Sequence, residues 1–277
     1  MPGFNSNSDR PIGVFDSGVG GLTVVKEIRR FLPHENILYV GDTLRCPYGP
    51  RPLEEVRRFS LEISEFLYGK GIKALVVACN TASSVALADL KERYADIPVL
   101  GVIEPGARAA LVYTKNKRVG VIGTVGTINS GSYEKALKSI DSEVNVISRP
   151  TPELVDYVER GEIDGPRIEA ILKYYLEDML REGIDTLILG CTHYPLLQPV
   201  IERIVGPGVK VVSSASETAR ELNAILSDRR LLKTGGDGSL KLMITNGSEI
   251  FLKLGRDFLG DEVREVYTIK LKEVEGF

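Results

Sequence analysis

The chain has 277 residues, is 43% hydrophobic and 26% charged, and carries a formal net charge of −3, the profile of a globular protein long enough for two domains and a proper core. That charge gives no general pull towards nucleic acid or acidic membranes, and no run approaches the roughly 18 apolar residues of a membrane helix. Three cysteines are too few for a disulfide framework, and Met1–Pro11 has neither the basic nor the apolar region of a signal peptide, so a cytoplasmic protein with free thiols is expected.

In chain order, Ile12–Phe15 reads as a strand that breaks at Asp16-Ser17-Gly18-Val19-Gly20-Gly21, and a helix follows from Leu22 to Phe31 with Pro33 beyond it. The turn offers backbone N–H groups to an anion, although GVGGL is neither a dinucleotide fingerprint nor a Walker loop. A strand at Ile37–Val40 leads into a Pro- and Gly-rich loop, Gly41–Pro50, placed to form a pocket wall. Leu53, Val56, Phe59, Ile63, Phe66 and Leu67 keep helical spacing until Gly69. The apolar run after Gly71 is a strand ending at Cys79. A helix from about Ser83 to Tyr94 and a strand at Val99–Gly101 follow, and Ile103-Glu104-Pro105-Gly106 reads as a junction.

Beyond it come a strand at Arg118–Ile122, a helix near Ser132–Lys138, a strand near Val144–Ile147 and a helix around Glu153–Glu159. Pro166 opens a long amphipathic helix carrying Ile168, Ile171, Leu172, Tyr175, Leu176, Met179 and Leu180. A strand ends at Cys191, a helix runs from Pro195 to Val205, and a strand spans Val209–Val212. Ser214-x-x-Glu217 has the form of a capping box. The tail holds a strand at Leu240–Thr245, a turn at Asn246-Gly247 and a helix through Leu252.

The chain repeats itself. GIKALVVACNTASS (Gly71–Ser84) and GIDTLILGCTHYPL (Gly183–Leu196) align at one offset, with Leu75/Leu187, Val76/Ile188, Val77/Leu189 and Cys79/Cys191 coinciding. The segment at Gly13 and that at Gly120 align at a similar offset, in the same order. Two matched segments in one order imply two halves of common architecture. Each cysteine run is short and fully apolar, as a buried parallel strand is. In open α/β sheets, ligands bind beyond the carboxyl ends of strands. The expected fold is therefore two similar three-layer α/β domains with mainly parallel sheets, related by pseudo-symmetry, with the site in the cleft between them. The first domain comprises residues 1–101 plus 210–277, the tail packing back on it, and the second 102–209.

Four readings of the two thiols compete. They are small buried hydrophobes at strand ends, as most free cysteines are; or zinc ligands with His193 and Asp16, although the spacing fits no standard site; or a regulatory disulfide, in a chain without CxxC; or an acid–base pair on a carbon acid. In the fourth reading both thiols precede a helix start, where N–H dipoles favour thiolate. One thiolate removes a proton from one face of a carbon and the opposite thiol delivers one to the other. Acid–base catalysis supplies about 10²–10⁴-fold, so preorganised donors must stabilise the enediolate. Asp16-Ser17, Tyr48-Gly49, Asn80-Thr81, Thr124, Thr127 and Thr192-His193 are the candidates. His193 is in reach of tuning a thiol or handling a substrate amine, and Asp16 could do the same beside Cys79. Cys46 reads as a loop thiol without a partner, His34 as an exposed loop residue, and Glu159 as a solvated helix-end carboxylate or a pocket one.

VFDSGVGGLTV (Val14–Val24), VGDTLRCPYG (Val40–Gly49), VVACNTAS (Val76–Ser83), GVIEPG (Gly101–Gly106) and LGCTHYPLL (Leu189–Leu197) resemble the glutamate racemases of the aspartate/glutamate racemase family, in order from about residue 11 to 212. The resemblance implies an enzyme interconverting L- and D-glutamate without pyridoxal phosphate or metal, and supplying D-glutamate for peptidoglycan synthesis. It makes Cys79 and Cys191 the acid/base thiols, assisted by Asp16 and His193. Ser17, Tyr48-Gly49, Asn80-Thr81 and Thr192 match substrate-holding positions. It also implies a homodimer. Ser148–Pro152 does not match the family pattern.

Overall fold

Gly71 and Gly183, equivalent in the repeat, both adopt a φ of 76°, a left-handed conformation that L side chains resist and glycine accepts freely. Each turns the chain out of a helix and into a cysteine strand. In the computed structural model, which describes residues 7–260, 263 and 265–272, the first of these strands is β3 (Ala74–Val77) and the second β7 (Thr186–Gly190), both buried throughout.

The first half continues the pattern with β1 (Ile12–Asp16), α1 (Leu22–Phe31), β2 (Ile37–Gly41), α2 (Leu53–Tyr68), α3 (Asn80–Arg93), β4 (Val99–Gly101) and α4 (Ile103–Tyr113). The second contains β5 (Arg118–Gly123), α5 (Val125–Asn129), α6 (Ser132–Ile140), β6 (Asn145–Pro150), α7 (Leu154–Glu159), α8 (Pro166–Arg181), α9 (Gln198–Val205), β8 (Lys210–Ser213) and α10 (Ser214–Asp228). The tail adds β9 (Leu240–Ile244), α11 (Ser248–Leu259) and β10 (Val266–Thr268).

Among the described residues the strands form two all-parallel sheets, one in the order β10-β9-β2-β1-β3-β4 and one in the order β6-β5-β7-β8. The run β2-β1-β3-β4 matches β6-β5-β7-β8 strand for strand. The fold is thus two α/β halves with parallel sheets, as expected, and the tail strands extend the first sheet. In each half the two central strands, β1 with β3 and β5 with β7, carry the apolar residues that the repeat aligned.

Four local expectations are corrected. Ile103–Gly106 is the first turn of α4, not a junction. Pro105 is tolerated there because first-turn N–H groups have no intrahelical partner to lose. The cap of α10 is Ser213, whose hydroxyl accepts from Ala215 N–H at 3.4 Å; Ser214 is already helical, so the Ser214–Glu217 box does not form. α3 begins at Asn80, immediately after Cys79, rather than at Ser83. A single 3₁₀ turn, Tyr194–Leu197, stands between Cys191 and α9. In addition, Lys210–Ser213, lying beyond the 209/210 boundary, pairs with β7 in the smaller sheet.

The halves are interlocked by an exchange of helices. α4 leaves the larger sheet at β4 yet packs on α6, β7 and β8 of the second half. α10 leaves the smaller sheet at β8 yet packs on α1 and α4. The carboxyl ends of β1, β3, β5 and β7 consequently meet.

Candidate active site

β1 ends in Asp16, which is fully buried. Its Oδ1 accepts from Gly18 N–H at 2.9 Å and its Oδ2 from the Thr192 hydroxyl at 3.1 Å. A residue from each half thus shares one carboxylate. Burial raises the Asp16 pKa, opposed by the charge of His193 and by these donors. Gly20 allows this contact between halves: a Cβ there would lie 2.5 Å from Thr192 Oγ1 and 2.6 Å from His193 Nδ1.

The two thiols occupy equivalent strand ends in unequal surroundings. Cys79 caps α3, is 5% exposed, and lies 3.9 Å from the Ser17 hydroxyl. Burial, then the charge of Asp16, pushes its pKa up to about 12, against a hydrogen bond from Ala82 N–H. The helix start does not win there: one N–H cannot offset desolvation and a neighbouring carboxylate, so Cys79 is a thiol at neutral pH. Cys191 is 6% exposed and precedes a 3₁₀ turn rather than a helix of several turns. Its sulfur lies 3.8 Å from His193 Nδ1.

His193 Nε2 in turn sits 3.3 Å from Glu159 Oε1, off the line a hydrogen bond requires, so the contact is an ion pair. Burial lowers the His193 pKa, but Cys191, Glu159 and the charge of Asp16 outweigh it and bring it up to about 10. His193 is an imidazolium at neutral pH. The same contact holds Glu159 below its ordinary value. Cys46, expected to stand alone, reaches Glu159 Oε1 at 3.8 Å. Burial and then the Glu159 charge push its thiol far above the ordinary range.

The remaining candidates lie along the seam. Thr81, from the first half, meets Thr124 at 3.0 Å and Thr127 at 3.2 Å, and Thr124 meets Thr127 at 3.0 Å. Gly126 N–H donates to the Gly49 carbonyl at 2.9 Å. Tyr48 turns its hydroxyl away, to Asp42 Oδ2 at 2.5 Å, while the next residue, Gly49, lies against Thr124 and α5 at the seam. Asn80 accepts from the Tyr133 hydroxyl at 2.7 Å. The structure therefore brings Asp16, Ser17, Cys79, Thr192, His193 and Cys191 into one buried cluster and sets Tyr48, Gly49, Thr81, Thr124 and Thr127 at its edge. Cys46 and the Glu159–His193 pair are the members that sequence reasoning missed or underweighted. They come from segments far apart in the chain, and no local spacing links them.

The cavity beside Cys191, bordered by Asn80, Val102, Thr192 and Ser214, is about 10 Å³, room for about one water. Chemically the cluster presents a thiol on one wall, a thiol beside an imidazolium on the other, and hydroxyls around them. Among the described residues no group of His, Cys, Asp and Glu is arranged to hold a metal ion.

A family model for Asp/Glu/hydantoin racemases matches residues 12–222. The glutamate racemase of Exiguobacterium sibiricum is 55% identical over 79% of this chain and 80% of that protein. The crystal structure of glutamate racemase isoform RacE1 from Bacillus anthracis superposes with a TM-score of 0.92 at 47% identity, covering 95% of this chain and 98% of that one. The Francisella tularensis glutamate racemase in complex with D-glutamate gives 0.89 at 35% identity, over 95% and 98%. The chain belongs to the Asp/Glu/hydantoin racemase family and is an isomerase. Within that family it groups with the glutamate racemases.

Proposed function

We propose that this enzyme interconverts L- and D-glutamate by proton transfer between Cys79, Cys191 and the α carbon. The observation that carries the reading is the pairing of the two sulfurs: equivalent strands of two halves end in buried thiols, each beside a group able to tune it, around one shared carboxylate. One thiolate takes the α proton of glutamate, and the electron pair moves into the carboxylate as an enediolate. The opposite thiol then donates its proton to the other face, leaving the two cysteines with exchanged protonation states. In the resting enzyme Cys79 is the protonated member, and the sulfur of Cys191 lies 3.8 Å from the His193 ring. Asp16 either pairs with the substrate ammonium or tunes the neighbouring Cys79 thiol through its charge. Hydroxyls of Ser17, Thr81, Thr124, Thr127 and Thr192, with Asn80 and the Tyr48–Gly49 backbone, hold the carboxylates. No electron sink beyond the enediolate is needed, so the reading involves no pyridoxal phosphate.

By the same reading the enzyme is a cytoplasmic homodimer that supplies D-glutamate for peptidoglycan, and residues 1–101 with the tail move as one domain against the second. No helix among the described residues is long and apolar enough to cross a membrane.

Circular dichroism of L-glutamate and L-aspartate side by side tests the substrate. Glutamate should be turned over at least tenfold better, and a preference for aspartate would contradict the proposal. Cys79→Ser and Cys191→Ser should each lower racemisation by at least about 10³-fold, within the range of acid–base catalysis, while glutamate binding is partly retained. Wild-type turnover in either variant removes that cysteine from the mechanism.

A further inference from the structure

Asp42, the residue after β2, is fully buried and serves as a hub. Its Oδ2 accepts from the Tyr48 hydroxyl at 2.5 Å and from Arg45 Nε at 2.6 Å. Its N–H donates to the Asp16 carbonyl at 3.0 Å. The other carboxylate oxygen, Oδ1, accepts at 2.9 Å from the hydroxyl of Thr245, which belongs to the C-terminal tail and follows β9. The same hydroxyl accepts from Leu44 N–H at 2.8 Å, and Thr245 N–H donates to the Gly41 carbonyl at 3.2 Å. Asn246 N–H donates to the Thr43 hydroxyl at 2.9 Å, which returns a bond to the Asn246 carbonyl. A two-residue stretch of the tail is stitched to the loop that ends in Tyr48-Gly49.

We propose that Thr245 is a positioning residue for substrate: through Asp42 it fixes the Tyr48–Gly49 peptide where a carboxylate of the amino acid docks. The proposal rests on the glutamate reading above. Thr245 touches neither sulfur, and it acts by fixing the orientation of the Asp42 carboxylate. With Oδ1 held by the tail, Oδ2 is aimed at Tyr48 and Arg45 together. Without the hydroxyl, a buried oxygen and the Leu44 N–H both lose their partner, and the loop is free to shift by the fraction of an ångström that substrate positioning does not tolerate. The tail is then part of the substrate site, although it lies beyond the matched repeat.

Thr245→Val keeps the shape and removes the hydroxyl, and Thr245→Ser restores it. The expected result for Thr245→Val is a rise of about tenfold in KM for L-glutamate with kcat within about twofold, an effect the size of one charge-assisted hydrogen bond, and a return towards wild type in Thr245→Ser. Hydrogen exchange supplies a readout independent of turnover: amides of residues 43–49 should exchange faster in Thr245→Val while those of β3 and β7 stay protected. Should Thr245→Val fail to fold, Tyr48→Phe opens the same link from its other end and should loosen the same amides. Unchanged exchange at 43–49, or faster exchange with unchanged KM, overturns the proposal. A wild-type enzyme inert towards glutamate overturns the function reading and the substrate half of this proposal, and exchange still decides the link between tail and loop.

Discussion

A buried imidazole ordinarily sheds its proton, because burial penalises the charged form. His193 is 2% exposed and keeps its proton up to about 10 because Cys191 on one side and Glu159 on the other outweigh the desolvation. The linkage follows from that direction. The folded value lies above the ordinary 6.5, so the stabilisation is fully present below about pH 6.5 and is lost as pH rises towards 10. Glu159, held low by the same contact, contributes above its ordinary value and loses its contribution on acidification. Thermal melts of wild type and His193→Asn between pH 6.5 and 10 should therefore converge as pH rises, and parallel curves would contradict the ion pair. At this scale the sequence exposed the two cysteines, Asp16 and His193 through their repeated strand ends. It concealed Cys46 and underweighted Glu159, whose contacts depend on a loop and a helix from opposite halves meeting.

Elements come together at the seam where α5 abuts the loop after β2. Gly49 is needed there because a Cβ would stand 2.7 Å from Thr124 Cβ, closer than real side chains approach. Gly49→Ala should hold α5 off the loop and separate the threonine hydroxyls. Its expected effect is a rise in KM of about tenfold or more with a melting temperature near wild type, because the collision lies at the edge of the site. An unchanged KM would mean that the seam does not shape the substrate site. Elements with clear apolar periodicity and Gly or Pro stops, α1, α2 and α8, were legible in the sequence, as was each cysteine strand. α4 was not, because its first turn contains Pro105 and Gly106, which read as a loop unless the helix after them is known to pack. The α10 cap was displaced by one residue because Ser213 and Ser214 are equally good caps by type. What decides between them is that β8 runs extended through Ser213 and passes directly into the helix at Ser214.

At the scale of the whole molecule, the end of the larger sheet remote from the site is held by a buried ion pair. Lys73 and Glu35 are each 1% exposed, with Nζ 2.5 Å from Oε2. Lys73 also donates to the carbonyls of Ser8 at 2.6 Å and Leu231 at 2.8 Å, and Glu35 accepts from Lys233 N–H at 2.9 Å. The pair ties the chain start and the entry to the tail onto the base of β3. Removing one partner of a buried pair leaves an uncompensated charge, which costs about 3–5 kcal/mol. Lys73→Met should destabilise by that order in urea melts, and adding Glu35→Leu should recover much of it. A single variant as stable as wild type would show that the pair does not anchor the tail. The sequence showed two halves and a returning tail, whereas this anchor joins residues with no shared motif.

The central claim concerns the path of one hydrogen, and isotope exchange reads it directly. When L-glutamate is racemised in deuterium oxide and quenched early, two monoprotic thiols on opposite faces should give D-glutamate carrying solvent deuterium at the α carbon, while recovered L-glutamate remains unlabelled. Equal labelling of both enantiomers, or product that retains the original hydrogen, would mean that a single base serves both faces and would contradict the account.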